Sequence, residues 1–164
     1  MAIKLLFKPA RKQTESIIVG NVYCPTSDHE AMNEGITDEM YARTIKEIKR
    51  STDPQTKIIM GGGDFNATIG VREDASNKRY LGQHGLKRRN KNGLSMIQFM
   101  RELELRAAMS FFEAKEHCTF VDFRNKCDKK QLDHFLTSQH FGPRVTKAMT
   151  YKPPGNLVSD HTAI

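Results

Sequence analysis

Residues 57–70, "KIIMGGGDFNATIG", decide how the rest of the chain is read. The apolar run from Lys57 to Met60 has the composition of a buried strand, and three glycines follow at once. Glycine lets the backbone turn sharply, so Asp64 and Asn66 are expected at the carboxyl end of the strand, where α/β sheets place their ligand sites. Two positions apart on an extended segment, the acid and the amide project to one side while Phe65 turns into the core. Two familiar phosphate loops are excluded by spelling: there is no G-x-x-x-x-G-K-[ST], and Asn66 stands where G-x-G-x-x-G needs its third glycine. An acid beside an amide suits hydrolysis, the carboxylate deprotonating a water and the amide donating to a phosphoryl oxygen. Standing alone, the stretch reads as a glycine-rich turn with Asx caps.

Outward from this stretch the pattern alternates. Ser16 to Cys24, "SIIVGNVYC", reads as a buried strand with Tyr23 at its exit, stopped by Pro25. Thr37 to Arg50 carries a Thr cap, acids in its first turn, bases in its last and Tyr41, Ile45 and Ile48 on one face, which predicts an amphipathic helix. Strand, helix and strand in succession imply a crossover unit and a layered α/β fold. Residues 71–92 are polar and basic and read as a long surface loop. A second helix is expected from Gly93 to Glu104, capped by Asn92, with Leu94, Ile97, Met100 and Leu103 as its apolar stripe. Further strands are expected over 105–112, 118–122, 131–137 and 145–151, with "LVSDHTAI" entering one more.

The bulk numbers set limits. The 164 residues suit one domain with a core, and 38% hydrophobic against 27% charged residues is a soluble balance with no apolar run long enough to span a membrane. "MAIKLLFKPARKQ" lacks the uninterrupted apolar region of a signal peptide, so an intracellular location is expected. The net charge of +7 suits a polyanionic partner. Cys24, Cys118 and Cys127 read as reduced thiols, and a zinc site of Cys118, Cys127, His134 and His140 fails on its first spacing.

Downstream, "QLDHFLTS" puts Asp133 inside a β-type segment, and "SDHTAI" puts adjacent Asp160 and His161 before another. A carboxylate inside a strand is costly unless paired, and histidine is a natural partner. Ser159, Asp160 and His161 cannot form a serine-protease relay, because consecutive residues cannot assemble one.

With "VYCPT", "GGDFNATIG", "NGLSMIQFMRELEL", "CTFVDF", "QLDHFL" and "SDH" in this order, the chain resembles the endonuclease/exonuclease/phosphatase superfamily. It is most similar to endonuclease domains of LINE-type retrotransposons and their craniofacial-development-protein-like relatives. The resemblance implies a four-layer α/β sandwich of two mixed β-sheets flanked by helices. It also implies a single domain over residues 1–164, truncated at its amino end, where the family's Asn and Glu strands are missing, and in its last strand.

The implied activity is phosphodiester hydrolysis of DNA with Mg²⁺, or Mn²⁺ in its place, impaired in this chain; the alternative is an inactive retroelement remnant that binds nucleic acid. By resemblance Asp64 would activate the water and Asn66 would hold a phosphate oxygen. His161 would bind the phosphoryl group and stabilise developing charge, oriented by Asp133, while Tyr23 would contact the scissile phosphate or the leaving oxygen and Asp160 would sit by the metal. DNA as partner implies a nuclear location, and no obligate protein partner is expected. Phe120 and His134 replace the usual Trp and Tyr of two family motifs, and "LDHFL" lacks the "CDRIL" spelling of inositol-polyphosphate phosphatases, which disfavours a phosphoinositide. Lys87, Arg88, Arg89 and Lys91 offer charge without an interleaved aromatic, the pattern of a contact to a nucleic-acid backbone and not to bases.

Overall fold

The computed structural model describes residues 2–7, 15–26, 34–53, 56–122, 124, 128–151, 159–162 and 164. Its main sheet has five strands in the order β1-β2-β3-β7-β4: β1 (Ala2–Phe7), β2 (Glu15–Gly20), β3 (Thr56–Asp64), β7 (Asp133–Ser138) and β4 (Leu105–Ala107). The sheet is mixed, since β2 and β3 run parallel while β1/β2, β3/β7 and β4/β7 are antiparallel. The parallel pair demands a crossover, supplied by helix α1 (Ile36–Ser51). A second, two-stranded sheet pairs β5 (Phe120–Val121) with β6 (Lys129–Lys130), and an isolated bridge from Phe120 to His161 adds the terminal segment to its other edge. The chain thus builds the expected mixed α/β arrangement of several sheets flanked by helices.

Helix α2 (Lys91–Glu102) packs against α1, with Tyr41 stacked on Phe99 at 4.6 Å between ring centroids and Lys49 paired to Glu102 at 3.1 Å. Together with Ile18, Phe65, Leu105 and Leu136 from the sheet and its loops, the helices close one apolar core. Burial of this apolar surface is the main favourable term holding the helices on the sheet.

Several expectations are corrected. Thr37 is buried in the first turn of α1, and the cap position belongs to Gly35, in the left-handed conformation at φ 87°. The cap of α2 is Asn90, not Asn92: its side chain accepts from the Gly93 N–H at 2.8 Å, which starts the helix two residues earlier. The buried stripe of α2 is Met96, Ile97, Phe99 and Met100 with Leu103 just beyond, whereas Leu94 is 59% exposed. The strand expected over 105–112 stops at Ala107 and becomes a 3-10 turn, Ala108–Phe111. No strand forms over residues 145–150. Strand β1 was not legible, and it pairs along the whole length of β2.

The expected loop ends at Asn90, because Lys91 and Asn92 already belong to α2; it contains a 3-10 turn, Ala75–Asn77, and it is anchored. Leu81 is fully buried, the Gly82 N–H donates to Ser110 Oγ at 2.8 Å, and the Arg89 guanidinium donates to the carbonyls of Ile69 and Val71. Cys24 and Cys118 are free and buried, while Cys127 lies outside the described residues. No helix among the described residues is long and apolar enough to cross a membrane.

Candidate functional site

The glycines do not turn the chain. Strand β3 runs through them to Asp64, with a bulge between Met60 and Gly62. Their purpose at Gly63 is close approach, because a Cβ there would collide with the backbone of Val22. This proximity lets the segment leaving β2 continue alongside β3: Tyr23 bridges Asp64 in parallel register, and the Cys24 N–H donates to the Asp64 carbonyl at 2.8 Å. On the other side, Asp64 is the register partner of Asp133 in β7. Tyr23, Asp64 and Asp133 therefore form a row across the sheet at the end of β3.

The second sheet brings His161 onto this row. The Val121 N–H donates to the Asp160 carbonyl, the Thr162 N–H donates to the Thr119 carbonyl, and the imidazole meets Phe120 edge-on at 5.2 Å. His161 Nδ1 lies 2.9 Å from Asp133 Oδ2, and its Nε2 lies 3.9 Å from Asp64 Oδ2. With Nδ1–H donating to Asp133, the tautomer is fixed and Nε2 is turned toward Asp64. The buried Thr119 hydroxyl accepts from the N–H groups of Leu132 and Asp133, and so holds the backbone from which Asp133 projects.

Electrostatics follow from this packing. Burial raises the Asp64 carboxyl from its ordinary value; the Asn66 N–H opposes this, Asp133 adds to it and His161 pulls back. For His161, burial disfavours the charged ring. The hydrogen bond and charge of Asp133, with further attraction from Asp64 and Asp160, outweigh it and raise the imidazole above its usual value.

The turn after Asp64 is held group by group. Asn66 adopts a left-handed φ of 45°, its N–H donates to Asp64 Oδ1 at 2.9 Å, and its amide donates to the Cys24 carbonyl at 2.8 Å. This amide braces the turn at the edge of the site. The Asn66 carbonyl accepts from both Asn90 and Asn92 at 3.2 Å, and the Ala67 carbonyl lies 2.7 Å from His134 Nε2. Asn90 Oδ1 accepts from the Thr68 N–H, and Asn92 also donates to the Pro25 carbonyl. Buried backbone groups need such partners, so Asn90, Asn92 and His134 fix the geometry around Asp64. The asparagines at the cap and in the first turn of α2, Asn90 and Asn92, are the sequence signal for this brace.

Tyr23, Asp64, Asn66 and His161 line a cavity of about 600 Å³. Arg88 and Arg89 border it on one side, and Arg124, Lys129 and Lys130 of the β5/β6 hairpin border it on another. The hairpin cations were not singled out in the sequence. Of the expected basic residues, Arg89 is largely committed to backbone carbonyls, Lys91 lies 3.9 Å from Glu34, and Lys87 is exposed and does not line the cavity.

Asp160 lies near enough to act on Asp64 and His161 through its charge but is not part of the cavity wall. Among the described residues no three His, Cys, Asp or Glu side chains converge in a way that could hold a metal ion. The nearest candidates are already engaged, Asp133 with His161 and Asp64 with the Asn66 N–H. Mg²⁺ takes carboxylate, water and phosphate oxygens in octahedral geometry, and these residues alone do not provide that set.

A family model described as endonuclease-reverse transcriptase matches residues 17–164. A search of curated proteins found no match. Among solved structures, the chain is similar to the 3'-5' exonuclease NExo from Neisseria meningitidis, with a TM-score of 0.61 and 16% identity over 90% of this chain and 59% of that one. It is similar to the catalytic domain of APE2 from Xenopus laevis, with a TM-score of 0.61 and 14% identity over 98% of this chain and 52% of that one. It is also similar to the endonuclease domain of TRAS1, a telomere-specific non-LTR retrotransposon, with a TM-score of 0.55 and 16% identity over 98% of this chain and 60% of that one. At these identities the likeness is one of fold, and the chain spans between 52% and 60% of the length of these structures. Matched by the family model over nearly all its length, the chain belongs to the endonuclease-reverse transcriptase family of the endonuclease/exonuclease/phosphatase superfamily.

Proposed function

We propose that the row at the end of β3 is the phosphodiester-handling site of a DNA hydrolase of the retrotransposon-endonuclease type. The observation that carries this reading is the meeting of Asp64, Asp133 and His161, three residues from distant parts of the sequence, around one imidazole. In it, Asp133 accepts the Nδ1 proton of His161 and favours the charged ring, whose Nε2–H can then be offered to a non-bridging phosphate oxygen. Asp64, with its carboxyl raised toward the range of a useful base, takes a proton from the attacking water. Tyr23, 73% exposed beside Asp64, offers its hydroxyl toward the same phosphate. Asn66 serves this site through the turn it braces.

The family match and the likeness to nucleases support hydrolysis of a phosphodiester, and the similar structure of the Neisseria 3' phosphatase NExo bound to a product DNA hairpin supports DNA as substrate. Divalent-metal dependence is a further part of the proposal, drawn from the superfamily. The residues described here do not complete a metal set, so turnover by the chain itself is expected to be low.

The test is nicking of supercoiled plasmid by the chain, Asp64→Ala and His161→Ala, with Mg²⁺ or Mn²⁺ and with chelator. Metal-dependent nicking lost in both variants, with DNA binding retained, bears the proposal out; equal nicking by Asp64→Ala overturns it. The cations around the cavity favour a second reading, binding without cutting. Absence of nicking, together with DNA binding that weakens in Arg88→Ala, decides for it.

A further inference from the structure

The cations that border the cavity are already matched with carboxylates. Arg124 pairs with Asp122 at 3.1 Å, Lys129 with Glu116 at 2.9 Å and Arg89 with Glu73 at 3.4 Å, each partner coming from the cation's own loop or, for Glu116, from the segment leading into β5. Asp128 differs. One of its oxygens lies 3.7 Å from Arg88 Nη1, on the loop before α2, and the other lies 3.0 Å from Lys130 Nζ, on β6. A single carboxylate thus ties together the two basic walls.

That geometry has a chemical meaning. A phosphodiester group carries one negative charge shared over two non-bridging oxygens, as a carboxylate does, and would make the same two contacts between the same two cations. Pairs this exposed, with Arg88 at 76%, Lys130 at 42% and Asp128 at 28%, contribute little to stability and are readily exchanged. A strand of nucleic acid brings closely spaced charges and releases counterions on binding, which drives the exchange at low salt; an isolated small anion brings neither advantage.

On these grounds we propose that Asp128 is a specificity-determining residue that occupies the place of a substrate phosphate between Arg88 and Lys130, and that a nucleic-acid strand binds by displacing it. The inference rests on the nucleic-acid reading of the cavity given above. Asp128 lowers affinity for any polyanion and reserves the two cations for a ligand able to compete.

The experiment is fluorescence anisotropy with a labelled single strand and a duplex over a series of salt concentrations. The proteins are the chain, Asp128→Asn, Asp128→Glu, Asp128→Asn with Arg88→Ala, and Glu39→Gln, which adds the same charge on the exposed face of α1. Asp128→Asn is expected to bind about three- to tenfold more tightly at low salt and to steepen the dependence of log K on log salt by about one. Asp128→Glu restores the behaviour of the chain, Arg88→Ala cancels the gain, and Glu39→Gln shows little of it. A gain from Glu39→Gln equal to that from Asp128→Asn overturns the proposal and leaves the nucleic-acid reading standing. Absence of binding in every protein at the lowest salt overturns both.

Discussion

Asp64 and Asp133 stand directly opposite one another across β3 and β7, and His161 reaches both. Like charges in register on neighbouring strands repel, so the imidazolium between them is part of what makes the pair tolerable. The raised pKa of His161 means the folded chain binds this proton more tightly than the unfolded chain does. The stabilisation it brings is fully present below the unfolded value, about 6.5, and is lost as pH rises through the folded one. Asp133→Asn is expected to lower the His161 pKa, followed by NMR of the ring, and to reduce stability more in mild acid than in mild alkali. An unchanged titration would refute the role given to Asp133.

Asp64 works in the other direction. Burial raises its carboxyl, so ionising it at neutral pH costs folding free energy; its favourable contribution is present below about 3.9 and lost as pH rises through the folded value. Asp64→Asn removes that cost, and its amide oxygen can still accept from the Asn66 N–H. The variant is expected to melt higher than the chain at neutral pH, with the gain shrinking as pH falls, and to lose any nicking activity. A lower melting temperature at neutral pH would mean that the His161 pairing outweighs desolvation.

Much of this arrangement was legible because the residues concerned are expensive where they stand. An acid within "QLDHFL" and a histidine within "SDHTAI" demand partners, and the structure supplies Asp133 and His161 to each other. The alternation of "SIIVG", an amphipathic helix and "KIIMGGGD" likewise anticipated the β2-α1-β3 crossover. What escaped depends on distant packing. The glycines read as a turn locally, but their role is set by Val22, remote in sequence. The bond from the Asn66 amide to the Cys24 carbonyl, which ties the turn after β3 to the segment leaving β2, likewise depends on a residue far away in sequence. The cations of the β5/β6 hairpin carry no periodic signal at all, and only folding brings them to the cavity.

Metal affinity offers a separate check. With no three candidate ligands converging among the described residues, calorimetric titration of the chain with Mg²⁺ in the absence of DNA is expected to show no binding in the micromolar range. Adding DNA supplies phosphate oxygens and is expected to strengthen the interaction. Tight binding without DNA, abolished by Asp160→Asn, would show that the aspartate joins a set of ligands not seen among these residues.

Gly62 and Gly63 are neighbours in β3, yet they answer differently to the same substitution. A methyl group at Gly62 would meet only the flexible side chain of Ile164 at 3.6 Å, an ordinary contact. Gly62→Ala is therefore expected to be neutral or to gain up to about 0.5–1 kcal/mol, since glycine is the costlier residue to order in a strand. At Gly63 the methyl group would strike the carbonyl of Val22, which belongs to backbone and cannot rotate away. Relief requires the segment carrying Tyr23 and Cys24 to move off β3, breaking the bond from the Cys24 N–H to the Asp64 carbonyl. Gly63→Ala is expected to cost about 1–3 kcal/mol, the usual range for overpacking, as read by chemical denaturation. It should also displace Tyr23 from Asp64, visible as a change in the NMR shifts of His161 that Gly62→Ala does not produce. Equal stability of the two variants would show that the strand exit is free to shift, and that Gly63 is not what holds Tyr23 beside Asp64.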